Sequence, residues 1–508
     1  MSAGKTLFMS LAASLAAAAL AGCAAVRPQA DYGRAQQLAT AATGQPETYI
    51  PGQDDAITSR VEALLADGIT VDEAIQIALL NNPSFQAAWM DVGMARADLV
   101  QAGLFSNPSL FTSFRLPAGG GLSNIELTIA QSIADLWQIP ARKKVAREQL
   151  ERAVLTLARE ATQLAANTKA SYYRALGAQE VHKNAQENAA IAQELLDLAV
   201  ARKQAGAGTD LDINLSRSAV LEANLSVQTT RLAAASARRD LATALGITQS
   251  ADELELASSL AIQAPSELAS DRLISIAQQA RLDLLAARRV VNAAEASLRL
   301  EYLEVIPSVD VGVAMERGAK QQQGGRNLLA DTARASIANG GLTAPEIQPR
   351  SERQANRRTD LIVGPSVALP LPIFDQNQAQ IAKAAFALQQ ARKDLEARER
   401  SAVQEIRGAA DRLNTAWAVV AFYRQEMLPL AERSLAMTRD SYRAGGTSVL
   451  AVLEAQRFLL DARRRYLEAL QNAAGLVAEV ELAVGRPLSE LIEPPTSNPA
   501  TQPSEGAM

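Results

Sequence analysis

The chain has 508 residues, with 50 Lys and Arg against 55 Asp and Glu, one His and one Cys. A net charge of -5 makes nucleic acid a poor partner, and a lone cysteine excludes an intrachain disulfide. Apolar residues make up 48% but aromatics only 4%, the balance of long Ala- and Leu-rich helices meeting through small side chains, not of a large aromatic core.

At the start, Lys5 supplies a positive region and Leu7 to Leu20 an apolar one, too short and Ala-rich for a membrane span. Residues 1–22 therefore read as an export signal. It ends in Leu20-Ala21-Gly22-Cys23, which resembles the lipobox of bacterial lipoproteins and implies acyl chains on Cys23 and insertion into outer-membrane lipid. Residues 23–68 follow as a polar strap, rich in Ala, Gln, Thr and Pro as far as about Gly52 and without periodicity.

Regular structure is expected from Thr70-Val71-Asp72-Glu73, a capping box followed by apolar Ala74, Ile77 and Ala78. A second helical run starts near Asn82-Pro83. After Pro108 the pattern alternates: Leu110, Thr112, Phe114 and Leu116 oppose Phe111, Ser113 and Arg115, and Ile125, Leu127 and Ile129 oppose Glu126, Thr128 and Ala130. This predicts a strand hairpin over about 108–131 with one wetter face. Pro140, at a helix N1 position, opens a run of roughly 65 residues to the Gly206-Ala207-Gly208 break, a rod of about 100 Å. Helices of that length imply a coiled coil, a solenoid or a tubular assembly. Thr209 to Leu245 returns alongside and ends at Gly246, closing a first repeat over 69–246; residues 247–270 read as a linker.

The plan then recurs over 271–485. Asn82-Pro83 is answered by Arg281-Leu282, Asn107-Pro108 by Ile306-Pro307, Gly208-Thr209 by Gly446-Thr447, and Ala244-Leu245-Gly246 by Ala483-Val484-Gly485. Strands are expected at about 307–315 and 361–370, flanking an external loop over 316–360. A second very long helix runs from Pro372 to Ala444 with a bend near Pro429, and 486–508 read as a flexible tail. Four strands of roughly nine residues can each cross a bilayer, yet alone they leave two open edges that lipid does not tolerate. Closure demands further copies, three of which supply twelve strands.

At this point the chain resembles the TolC-like outer membrane efflux proteins, and within them the lipoprotein members of the heavy-metal or cation branch. The resemblance rests on Asn82-Pro83, Ala102-Gly103-Leu104, the Arg281 to Arg289 run, Leu371-Pro372-Ile373-Phe374-Asp375-Gln376-Asn377-Gln378, Tyr442-Arg443-Ala444-Gly445-Gly446, and Val452-Leu453-Glu454-Ala455-Gln456. It implies a mixed α/β membrane protein: a long α-helical periplasmic barrel joined to a transmembrane β-barrel that trimerisation completes. It implies a lipid-anchored outer-membrane location and a homotrimer. The partners implied are a periplasmic adaptor and an inner-membrane pump of the resistance-nodulation-division type. Two departures stand out. Ala451 stands where an acidic residue can occur in the family, and Leu282 replaces the proline common at its position, the latter making the second helix start less preset.

A tunnel needs a wet path and a gate, not a nucleophile or a cofactor. Gly206, Gly208, Gly445 and Gly446 are the candidate turn or hinge residues, and Glu454, with Asp210 and Asp212, the candidate acidic gate. Those carboxylates can equally be solvated helix-surface groups. With one His, His182, and one Cys, no soft-metal site of the usual kind can be assembled. No acid-base or nucleophile set converges, so an enzyme is not expected. The alternatives are a drug or small-molecule channel of the same family and a periplasmic lipoprotein scaffold without a pore.

Overall fold

The computed structural model describes residues 25–116, 123–248, 254–257, 269–319, 328–343, 359–488 and 490. The expected signal at 1–22 and Cys23 lie outside them, as do much of the expected linker and external loop and the tail from 491. In chain order the elements are α1 (Gln29–Thr43), α2 (Asp54–Leu65), α3 (Val71–Asn81), α4 (Pro83–Gln101), β1 (Ser109–Arg115), β2 (Asn124–Ser132), α5 (Asp135–Gln204) and α6 (Asp210–Leu245). Then come α7 (Ser270–Ala280), α8 (Leu282–Leu303), β3 (Asp310–Ala319), α9 (Leu328–Ala338), β4 (Thr359–Ala368) and α10 (Gln378–Phe422). A π-helical segment (Tyr423–Met427), α11 (Leu428–Arg443) and α12 (Val449–Val484) complete the chain. Two compact units result: Met1–Asp98 with Arg147–Asn292 and Gln390–Met508, and Leu99–Ala146 with Ala293–Gln389.

The expected strap is not featureless, because α1 and α2 occupy it. Their periodicity is weak in sequence, since α1 buries Asp31, Tyr32, Ala35 and Ala39 and only the tyrosine is large. Tertiary contacts hold α1: Asp31 pairs with Arg96 at 2.5 Å, Arg34 with Glu151 at 2.7 Å, and the Tyr32 ring lies edge-on to Trp89 at 5.7 Å. Trp89, fully buried, is also ringed by Tyr49 and Phe85, each at 6.2 Å.

The capping box forms as expected, with the Glu73 amide donating to Thr70 Oγ1 at 3.3 Å and the Thr70 amide to Glu73 Oε2 at 2.8 Å. Helix α5 starts at Asp135, ahead of the expected Pro140, which lies inside it. The second long helix begins at Gln378 and is interrupted just before Pro429 by the π segment. Pro429 has no amide to donate and its ring crowds the carbonyl four residues back, so the ladder widens by one residue there.

The duplication is visible as one joint built twice. Asn82 and Arg281 both leave the helix in extended conformation, with ψ of 117° and 113°. Against each lies the end of a long helix at a left-handed glycine, Gly246 at φ 70° and Gly485 at φ 80°. A Cβ on Gly246 would come within 2.7 Å of the Asn81 carbonyl, and one on Gly485 within 3.2 Å of the Ala280 carbonyl. In the first joint Asn81 Nδ2 donates to the Leu245 and Gly246 carbonyls at 3.1 and 2.9 Å, and Asn82 Nδ2 to Ala244 at 3.0 Å. In the second, the buried Arg281 guanidinium reaches the Ala483 carbonyl at 3.3 Å, Asp283 at 2.6 Å and Glu405 at 2.9 Å. Burial opposes charge on Asp283, but the Arg281 hydrogen bonds and charge outweigh it and hold the carboxyl below its usual range. Leu282, in place of the proline, is buried against Leu155 and Ala158.

In the other unit the four strands form one antiparallel sheet in the order β1-β2-β3-β4. The register aligns Leu110 with Ile129, Ile129 with Val313, and Met315 with Val363. Opposed residues share a face, so one face is mainly apolar, with Arg317 and Gln131 towards its two ends, while the other carries Arg115, Glu126 and Glu316. On that polar face Arg115 pairs with Glu126 at 3.2 Å and Asn124 donates to Glu316 at 2.6 Å. Strand β3 extends to Ala319, further than expected, and the following segment includes helix α9. Among the described residues strands β1 and β4 each have a single partner, and Pro365, which lacks an amide donor, falls in the edge strand β4.

Candidate functional site: the turns between the long helices

The two long-helix pairs reverse at Gly206 and Gly445. After α5, the Ala207 amide donates to the Arg202 carbonyl at 2.8 Å; after α11, the Gly446 amide donates to the Ser441 carbonyl at 2.8 Å. These six-to-one bonds need a left-handed residue between, and Gly206 and Gly445 supply it at φ 76° and 81°. The remaining glycines differ. A Cβ on Gly208 would sit 2.8 Å from the Lys203 backbone nitrogen, so close approach demands glycine there. Gly446 has neither a positive φ nor a backbone clash; its nearest obstacle is the Ser441 hydroxyl at 3.0 Å.

The candidate acidic residues part ways. Asp212 is the far member of a second capping box, accepting from the Thr209 amide at 3.0 Å while its own amide donates to Thr209 Oγ1 at 3.2 Å. Asp210 pairs with Lys203 across the turn. Glu454, on α12, is 63% exposed and lies 3.6 Å from Arg457, which also reaches Glu222 on α6 at 3.2 Å. Of the three, Glu454 has the loosest attachment. Arg457 offsets part of its charge.

Two further residues join the turns, and no simple motif marks them as a pair. Arg202, near the end of α5, donates through Nη1 to the Tyr442 carbonyl and through Nη2 to the Ala207 carbonyl at 3.2 Å. Its guanidinium carbon stands 4.4 Å from the centre of the Tyr442 ring. One side chain therefore ties both turns. The Tyr442 hydroxyl is buried and has no hydrogen-bond partner among the described residues. Burial, then the charge of Asp212, raise its pKa, with Arg202 opposing. Tyr442 sits in a core with Leu195, Leu435, Val449, Val452 and Leu453, so the polar tie rests on apolar packing.

Among the described residues no group of three His, Cys, Asp or Glu side chains could hold a metal ion, and no helix is long and apolar enough to cross a membrane. The sole histidine, His182, is engaged by Thr230 and Gln186, each at 3.1 Å.

The duplicated joints, the paired turns and the open sheet have a match among known proteins. Residues 74–247 and 273–486 each match the model of the family described as outer membrane efflux protein. The chain belongs to that family. The cobalt-zinc-cadmium resistance protein CzcC of Cupriavidus metallidurans is 26% identical over 442 residues, spanning 86% of this chain and 96% of that protein. Among solved structures, the CmeC outer membrane channel of Campylobacter jejuni superposes with a TM-score of 0.62 at 14% identity, over 87% of this chain and 89% of that one. CusC, solved in a study of its folding and transmembrane channel formation, has a TM-score of 0.60 at 19% identity, over 82% of this chain and 92% of the other. The fold is thus TolC-like: a long helical periplasmic domain and an unclosed antiparallel sheet of the kind that closes into a transmembrane barrel when family members trimerise. This family member is an outer-membrane efflux channel, a conduit and not an enzyme.

Proposed function

We propose that the chain is the outer-membrane tunnel of a tripartite system exporting heavy-metal cations, anchored in lipid through Cys23. The observation that carries the cargo reading is the alignment with CzcC, a cobalt-zinc-cadmium resistance protein, along nearly its whole length. In this reading three copies close the sheet at the β1 and β4 edges, and the helices form a tube that meets a periplasmic adaptor and a pump of the resistance-nodulation-division type. Glu454 from three copies forms an acidic ring favouring cations, with Asp210 and Asp212 as flanking negative charge. The glycine turns are the points about which the helix pairs part, and the Arg202 tie keeps them closed at rest.

The test is single-channel conductance of the purified protein in planar bilayers, with oligomer mass from the same sample and with Co2+, Zn2+ and Cd2+ export from cells. A conducting trimer whose cation preference weakens in Glu454→Gln, and whose deletion raises metal accumulation, supports the reading. A conducting trimer whose loss leaves metal accumulation unchanged turns the cargo toward other small molecules; a folded protein that never conducts removes the channel.

A further inference from the structure

A cavity of about 650 Å³ lies where the end of α1, the first turns of α3, the middle of α5 and the last turns of α12 meet. Its walls are held from several sides. Gly44, left-handed at φ 71°, ends α1 and lies against the Pro487 ring, and the Leu488 amide donates to Glu481 Oε1 at 2.9 Å. On α5 the fully buried Tyr172 donates to the Ile69 carbonyl at 2.8 Å and meets the Tyr173 ring edge-on at 5.8 Å.

Some of the polar groups lining this cavity are already engaged. Lys169 Nζ donates to both oxygens of Glu481, at 2.9 and 2.8 Å, and Glu73 is held in its capping box. Others are free: among the described residues the Asp72 carboxylate, the Tyr173 hydroxyl and the Gln45 side-chain amide make no hydrogen bond. Asp72 is exposed at the cavity's edge, where water serves it, but Gln45 is only 7% exposed. A buried amide without a partner is costly, so a group that completes its hydrogen bonds is favoured there.

Charge selects the class of that group. Lys169 is the only Lys or Arg among the described residues of the lining, and Glu481 cancels it. Asp72 and Glu73 then remain as net negative charge, of which the N-terminal end of α3 offsets roughly half a unit. The Tyr173 hydroxyl feels this field: its pKa is pushed up to about 12, by burial first and by the charges of Glu481 and Asp72 after it, so it stays protonated. An anion is therefore disfavoured. No group of three His, Cys, Asp or Glu side chains among the described residues could hold a metal ion, so the fitting cation is organic and brings its own hydrogen-bond donors. A primary ammonium has three donors, and a carboxylate, a phenol oxygen and an amide oxygen can each accept one. Ile75, Ala166 and Val477 in the same walls suit an alkyl body.

We propose that this cavity binds a primary alkylammonium ion, its head held by Asp72, Tyr173 and Gln45 and its alkyl part against Ile75, Ala166 and Val477. The site is independent of what the tunnel carries and of whether it conducts.

The test is isothermal titration of the purified full-length protein at pH 7 with n-butylamine, sodium butyrate and 1-butanol in turn. Butylamine is expected to bind at one site per chain, and butyrate and butanol at least tenfold more weakly. Loss of one charge-assisted hydrogen bond is expected to weaken butylamine roughly tenfold in Asp72→Asn, with a smaller loss in Gln45→Leu and no change in Asp440→Asn, far along the helices. Equal binding of butylamine and butanol, no binding, or binding unchanged in both cavity variants would overturn the proposal. As a separate measurement on the unaltered protein, butylamine should slow amide exchange over residues 71–76 and 165–173 relative to butanol. Equal exchange with the two probes counts against the site even if a variant folds poorly.

Discussion

Arg202 and Arg281 show two uses of one side chain. Arg202 is a tie between turns, made of carbonyl hydrogen bonds and an aromatic face, and it is partly exposed; Arg281 is a buried hub with two carboxylate partners. A hydrogen bond from a charged donor contributes about 1.5–3 kcal/mol, and about 1.4 kcal/mol is a tenfold shift in an equilibrium. Arg202→Ala is therefore expected to raise the open fraction in planar bilayers roughly tenfold or more. Arg202→Lys should fall between, since an ammonium keeps the charge but loses the fork and the stacking. An open fraction equal to wild type in Arg202→Ala would remove the tie from the gate.

At Arg281 the expected effect is on stability. Arg281→Met strands Asp283 and should cost about 3–5 kcal/mol in urea unfolding, most of it recovered when Asp283→Leu is added. The acid limb follows from the sign of the Asp283 shift. Its folded value lies below the unfolded value of about 3.9, so its contribution is complete above the unfolded value and lost as pH falls through the folded one. Urea midpoints between pH 7 and pH 3 should lose part of this acid dependence in Asp283→Asn.

At the scale of elements, the turns separate glycines by what each must do. Gly206→Ala and Gly445→Ala should each cost about 1–2 kcal/mol, because a left-handed residue with a Cβ crowds the following carbonyl. Gly446→Ala, with negative φ, should cost well under half of that; equal losses at all three sites in thermal melts would sink the assignment of roles. The π segment makes a similar argument for α10 and α11. Pro429→Ala restores a donor, so slower amide exchange over 423–433 is expected from a ladder that closes continuously. Spacing and breakers made most of these elements legible: the Thr70 capping box, the Thr209 start and the Gly246 and Gly485 ends fall where the residues place them. The start of α5 at Asp135 was not, because the Ser106 amide at 2.7 Å and the Arg142 side chain hold that aspartate from outside its own turn.

For the whole molecule, the sheet has two faces and two edges, and each has a consequence. Val363 lies on the apolar face and Ile362 on the other, yet both are about equally exposed in the single chain, at 58% and 62%. If the apolar face meets lipid, Val363→Arg costs about 2–4 kcal/mol at mid-bilayer, whereas Ile362→Arg, facing a lumen, costs much less. Heat-dependent mobility shifts of the assembled species would measure this, and equal effects of the two variants would refute the facing. Neighbours in sequence thus acquire opposite surroundings only through the register.

The sequence alone determined the architecture: period-two and period-3.6 patterns, glycine and proline breakers and the matched boundaries of two repeats are local signals, carried by residues close together in the chain. It also nominated Gly206, Gly445 and Glu454, because turns and exposed charges announce themselves by residue type. Tertiary structure decided the rest. That α1 is a helix depends on Trp89, Arg96 and Glu151, all remote in sequence. That Asp212 is a cap and Asp210 a cross-turn partner, while Glu454 remains the loosely attached acid, depends on which donors the fold brings near. Arg202 meets Tyr442 across 240 residues, a separation at which no local pattern operates and only packing sets the distance.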